Sequence, residues 1–155
     1  MRVFASIAVA VLAAGRATLV AAQHQHHHDM SAPDTRQFVE LPLALREATL
    51  ANMRDHLQTL QELQTQLGAG HVDVAAKIAE TRLGMSSLGL HGAEEVSKFM
   101  PRGMQEAGTA MHRAASRFAV AAQDTGATGD LKPAFAALAD ITAQCVGCHA
   151  AYRFK

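Results

Sequence analysis

The chain has 155 residues, with 14 Lys plus Arg balanced by 14 Asp plus Glu and a formal net charge of zero. That length suits one domain. The balance excludes the global basic excess that nucleic acid or anionic lipid would need, so neither is expected as a partner.

The first segment reads as a secretory signal over residues 1–22. Met1-Arg2 is followed by an apolar run from Val3 to Gly15, and Val20-Ala21-Ala22 supplies small residues for cleavage before Gln23. Arg16 sits late in the segment. The run is shorter than the ~20 residues of a confident membrane span, so no stable membrane insertion is expected after cleavage. Removing 22 residues of 155 leaves 133, enough to bury one sizeable core. Arg2 and Arg16 leave with the segment, so 14 basic against 14 acidic becomes 12 against 14, a net −2.

Residues 23–40 read as a tail. His24, His26, His27, His28 and Met30 precede the breaker cluster Ser31-Ala32-Pro33-Asp34. Neutral imidazoles suit Cu, Ni or Zn, and the thioether suits Cu(I). The expectation is a polar tail that binds metal only adventitiously.

Residues 41–155 read as helix throughout. The first helix is expected from Pro42 to Leu67, with Leu43, Leu50, Met53, Leu57, Leu60 and Leu67 as one apolar stripe. Gly68-Ala69-Gly70 ends it. The second runs from about Asp73 to Leu88 on a weaker stripe of Val74, Ile78 and Met85. A loop with Gly89, Gly92 and Pro101 follows, and Ala93 to Phe99 could form a helical turn. The third covers about Met104 to Gln123; Ala107, Met111, Ala114, Phe118 and Ala121 form a face small enough to admit a bulky group. Asp124 to Gly129 is read as a break. Asp130 is placed to cap the fourth helix, which carries Phe135, Leu138, Ile141, Cys145 and His149 to about Arg153. Four amphipathic helices with short links predict an all-α, antiparallel four-helix bundle.

The chemistry is concentrated in Cys145-Val146-Gly147-Cys148-His149. A Cys-x-x-Cys-His run is an attachment signal for c-type haem. Each thiol adds to one vinyl group, and the adjacent imidazole lies under the iron. These are the only two cysteines. A redox dithiol would normally open a helix after a strand, and the chain has no βαβ pattern. A Cys2His2 zinc site would have to borrow histidines from the distant tail. Export agrees with the motif, because c-type haem is attached outside the bacterial cytoplasm, and a periplasmic location follows.

Here the chain resembles the cytochrome c-prime family, the class II c-type cytochromes. That family closes on Cys-x-x-Cys-His, two residues, an aromatic and Arg, matched by Cys145, Cys148, His149, Tyr152 and Arg153. The resemblance covers roughly residues 36–155. Family members also carry a first-helix Arg near a haem propionate and, four residues on, the side chain facing the open side of the iron; these are Arg46 and Leu50. Phe99-Met100-Pro101-Arg102-Gly103 is similar to the family's Phe-Pro segment with one residue inserted. Leu45 departs from the family's aromatic, and residues 84–113 are Met-rich with His91 and His112. A loop or surface role is expected for both histidines, although either could in principle ligate iron or copper.

The resemblance implies one covalent haem c per chain, held by Cys145, Cys148 and His149 and bordered by Arg153, Arg46 and Leu50. Leu50 has no lone pair, so a five-coordinate haem is expected, with Met53 the rival ligand one turn along. The implied function is periplasmic electron transfer with redox partner proteins. The alternative is buffering or sensing of NO or CO. A homodimer built on the first two helices is also implied. No acid/base pair or nucleophile constellation stands out, so the chain is not read as an enzyme.

Overall fold

A computed structural model describes residues 33–155. The expected signal peptide and the histidine-bearing part of the tail lie outside the described residues. The described chain is all-α apart from one pair of three-residue strands. In order it forms β1 (Gln37–Val39), α1 (Leu43–Gly68), α2 (Val72–Arg82), a 3-10 turn (Met85–Ser87), α3 (Ala93–Ser97), α4 (Arg102–Thr128), α5 (Lys132–Ala151) and β2 (Tyr152–Phe154).

Pro42 and Pro101 stand directly before α1 and α4 with extended backbones. Each fixes the entry of its helix without needing the amide it lacks. In α1 the buried face is Thr59, Leu60, Leu63 and Leu67. Leu43 and Leu57 are 68% and 69% exposed, which removes them from the expected stripe. At ~100° per residue they lie about 100° and 60° from Leu60 on the side away from the buried Thr59 and Leu63, off the core.

α2 ends at Arg82 rather than at Leu88. Serine hydroxyls take carbonyls at and just past its end: Ser86 Oγ donates to Glu80 O at 2.7 Å, and Ser87 Oγ to Gly84 O at 2.8 Å. Those bonds favour the 3-10 turn over another helical turn. The face buried is Ala75, Ala76 and Ala79, while Val74 of the expected stripe is exposed.

α4 continues through the expected break. Thr125 and Thr128 donate back to Ala121 O and Asp124 O at 2.9 and 3.0 Å, within the helical repeat. Gly129 then stops it in the left-handed region, φ 74°, with its N–H on Thr125 O at 2.8 Å. Asp130 Oδ1 accepts the Lys132 N–H at 3.0 Å, but Leu131 and not Asp130 is the N-cap of α5, and no side chain caps it.

The helices pack in series, α1 on α2, α2 on α4 and α4 on α5. The main core gathers Leu60, Leu63, Leu67, Leu83, Phe118 and Ile141 around small residues of α2 and α4. The alanine face of α4 admits neighbouring helices there. A second cluster forms at the other end of the molecule's sequence of elements, from Val39, Leu41 and Met104 with Leu45, Met53, Cys148, Tyr152 and Phe154 against it.

β1 and β2 pair in parallel, Gln37 with Tyr152, Phe38 with Arg153 and Val39 with Phe154. Residues 34–40 therefore belong to the folded body rather than to a tail, and they clasp the segment that follows the Cys-x-x-Cys-His run. α5 is long and apolar enough to cross a membrane by length and composition alone. Its outer face leaves Phe135 and Val146 exposed.

Candidate functional site

Cys145, Cys148 and His149 occupy the last two turns of α5. Three residues of helix turn ~300°, which puts the two cysteines about 60° apart on one face. Cys145 packs against the main core, with its Sγ 3.7 Å from Ile141 O. Cys148 packs in the second cluster. His149 is exposed. At Tyr152 the backbone becomes extended, φ −130° and ψ 151°, and the chain leaves as β2.

A cavity of about 300 Å³ opens at this end of α5, lined by Arg36, Arg46, Leu50, Met53, Met104, Cys148, His149, Tyr152, Arg153 and Phe154. It brings together Arg46, Leu50, Cys148, His149 and Arg153 from segments a hundred residues apart, with the rival Met53 on the same wall. Cys145 is not on that wall; it stands one turn back along α5. A larger open groove of about 730 Å³ runs along α5 beside Gln64, but its lining from Phe135 to Gly147 carries no ionisable or sulfur-bearing side chain.

Two polar atoms at the cavity, Nε of Arg46 and Nε of Arg153, are buried without a hydrogen-bond partner among the described residues. A buried, unpaired guanidinium N–H is costly, and both are on side chains that line the same space. Such atoms fit an anionic group that the described residues do not supply. The rest of Arg153 is engaged: Nη1 pairs with Asp34 Oδ2 at 2.9 Å, and the guanidinium lies over Phe38. Arg36 binds the same carboxylate at 2.8 Å and donates from Nη1 to the His149 carbonyl at 3.4 Å. The Arg36 hydrogen bonds, reinforced by Arg153, pull the Asp34 carboxyl down to about 2.

The thiols respond to burial in the opposite sense. Desolvation raises both, and the neighbouring Cys145 adds to the rise at Cys148. A reactive redox dithiol needs a lowered thiol at an electropositive, open place. These two are neutral, half-buried and at the C-terminal end of a helix. The chemistry of the set is two thiols, an imidazole, apolar walls from Leu50, Met53, Met104 and Phe154, and two cationic atoms awaiting an anion. It fits a group with apolar faces, an acidic edge and a metal that takes a nitrogen ligand.

Sequence reading missed Arg36, Met104 and Phe154. Arg36 lay inside the expected tail. Met104 and Phe154 are ordinary apolar residues whose place in the cavity depends on how α4 and β2 pack. The chain matches no protein-family model, no curated protein and no solved structure.

Proposed function

We propose that this protein is an exported, periplasmic c-type haem protein of the cytochrome c-prime kind. Its four long helices form an antiparallel bundle, and one covalent haem c per chain serves electron transfer. The observation that carries the reading is the cavity shared by Cys148, His149 and the partnerless Nε atoms of Arg46 and Arg153.

When bound, the haem supplies an iron that takes up and releases one electron. The polypeptide's part is to hold and tune it. Cys145 and Cys148 would anchor the ring through thioethers, and His149 would offer one ring nitrogen to the metal. Arg46 and Arg153 would pair with the acidic groups of the haem through their buried Nε atoms. Asp34, held ionised, keeps the Arg153 side chain in place from outside. Leu50, Met53 and Met104 keep water from the apolar faces.

Binding of NO or CO is the second reading, and Leu50 favours it. Leu50 lines the cavity and has no lone pair to offer a metal, so a haem held there would keep room for a small neutral ligand. Met53 and Met104 line the same cavity and carry thioethers; a bond from either would turn the function toward simple electron transfer.

Intact mass of the exported protein tests the attachment. The expected species is the chain from Gln23 plus one haem. Two alkylatable thiols, or a Cys145–Cys148 disulfide with no haem, would overturn the proposal.

A further inference from the structure

A second group of donors lies away from the cysteines. His56 comes from α1, His91 from the turn before α3, and His112 from α4. Their ring centroids are 4.6 Å apart for His56 and His91, 5.5 Å for His91 and His112, and 5.8 Å for His56 and His112. His56 Nε2 is 3.4 Å from His91 Nδ1. Two nitrogens bound at ~2.0–2.1 Å to one tetrahedral ion stand about 3.3 Å apart, and the centroids of their rings about 5 Å apart. The triangle has the dimensions of three imidazoles around one metal.

The surroundings prepare the rings for that role. His112 is buried, and its Nδ1 is 2.7 Å from the Leu83 carbonyl. Nδ1 therefore carries the proton and donates it there, leaving Nε2 with a free lone pair. A ligating histidine is usually oriented by such a carbonyl. His91 is tied to α1 by Asn52 Nδ2, which donates to the His91 carbonyl at 3.0 Å. As placed, no three donors among the described residues form a group that could hold a metal ion. The His56 and His91 nitrogens stand at ligand spacing. Closing the set requires the His56 and His91 rings to turn about the second side-chain torsion, which is broad for histidine, while the Leu83 carbonyl holds His112.

We propose that His56, His91 and His112 form a binding site for a late first-row transition metal ion such as Zn2+, the class that imidazole selects. The donors are His56 Nε2, His91 Nδ1 and His112 Nε2, with the fourth position left to water. The ion bridges α1, α4 and the turn that carries His91. The site is separate from Cys145, Cys148 and His149, and it stands whether or not the haem reading does.

The test is calorimetric titration of the full exported protein with Zn2+, comparing wild type with His56→Gln and His91→Gln. Both variants keep the buried His112 and its bond to Leu83, and circular dichroism checks that they remain helical. A second set carries Ala at His24, His26, His27 and His28, which removes the tail as a competing ligand. The expected result is one Zn2+ equivalent in wild type that survives the tail substitutions. Each Gln variant should weaken it at least as much as loss of an orienting contact does, roughly 10–100-fold. Zinc-edge X-ray absorption should show only nitrogen and oxygen neighbours. Unchanged affinity in both Gln variants would overturn the proposal. So would loss of all binding with the tail histidines, or sulfur neighbours that place the ion at Cys145 and Cys148.

Discussion

The guanidinium of Arg153 lies 3.8 Å from the centre of the Phe38 ring, and the two residues are register partners in the β1–β2 pair. A residue of β1, ahead of every described helix, is thereby stacked on one four positions after His149. A cation over an aromatic face at a half-exposed place contributes about 0.5–1 kcal/mol. Phe38→Ala should lower stability by about that amount and loosen the segment 152–155. Denaturant unfolding measures the first, and faster amide exchange at Arg153 and Phe154 the second. Unchanged exchange would show that the strand pair does not depend on the stack.

Acid should act on the same clasp. The Asp34 carboxyl is held at about 2 against an ordinary 3.8, chiefly by hydrogen bonds from Arg36. A carboxyl depressed in the folded state contributes its full stabilisation above its unfolded pKa and loses it as pH falls through the folded one. The loss therefore falls between about pH 4 and pH 2. Asp34→Asn should be less stable than wild type at pH 6 and nearly equal to it at pH 2. Urea unfolding at the two pH values checks the sign, and a gap that fails to narrow in acid would contradict it.

Gly103 is where an added Cβ in α4 would come closest to another residue: it would land on the Tyr152 hydroxyl, which would have to shift. Gly103→Ala should destabilise by about 1–3 kcal/mol, the usual cost of forcing atoms into a packed place. Removing the obstructing oxygen with Tyr152→Phe should restore part of that loss. The four-variant cycle measures the coupling, and strict additivity would show that the two residues do not meet.

Which of these features the sequence could reveal depended on whether neighbours in sequence or neighbours in space carried them. The Cys145–His149 run is contiguous, so its chemistry reads directly. Leu60 and Leu67 fall at helical spacing and are buried as expected. Leu57 meets the same spacing rule loosely, yet angular drift along α1 carries it to solvent. The strands are three residues each, too short for any alternation to register. Asp124 to Gly129 has loop composition, but two threonine hydroxyls bonded to the preceding turn keep the backbone helical to Thr128. His56, His91 and His112 are separated by 35 and 21 positions, and only the packing of α1, α4 and the intervening turn brings the rings together.

The histidines of the tail should be dispensable for the haem. Deleting residues 23–33 leaves Asp34 and its two arginine partners in place, so the optical spectrum should not change. Extending the deletion through residue 39 removes Arg36 from the His149 carbonyl and dissolves the strand pair. That longer deletion should shift the spectrum or lower haem retention. A spectrum altered by the shorter deletion would place a tail histidine on the iron.

The ferrous optical spectrum of the purified protein, recorded with and without CO, is the decisive measurement for the proposed covalent haem facing Leu50. A high-spin spectrum that converts on adding CO is expected, and a low-spin, CO-resistant spectrum for Leu50→Met. A wild-type spectrum with no haem absorption, or one already low-spin and indifferent to CO, would contradict it.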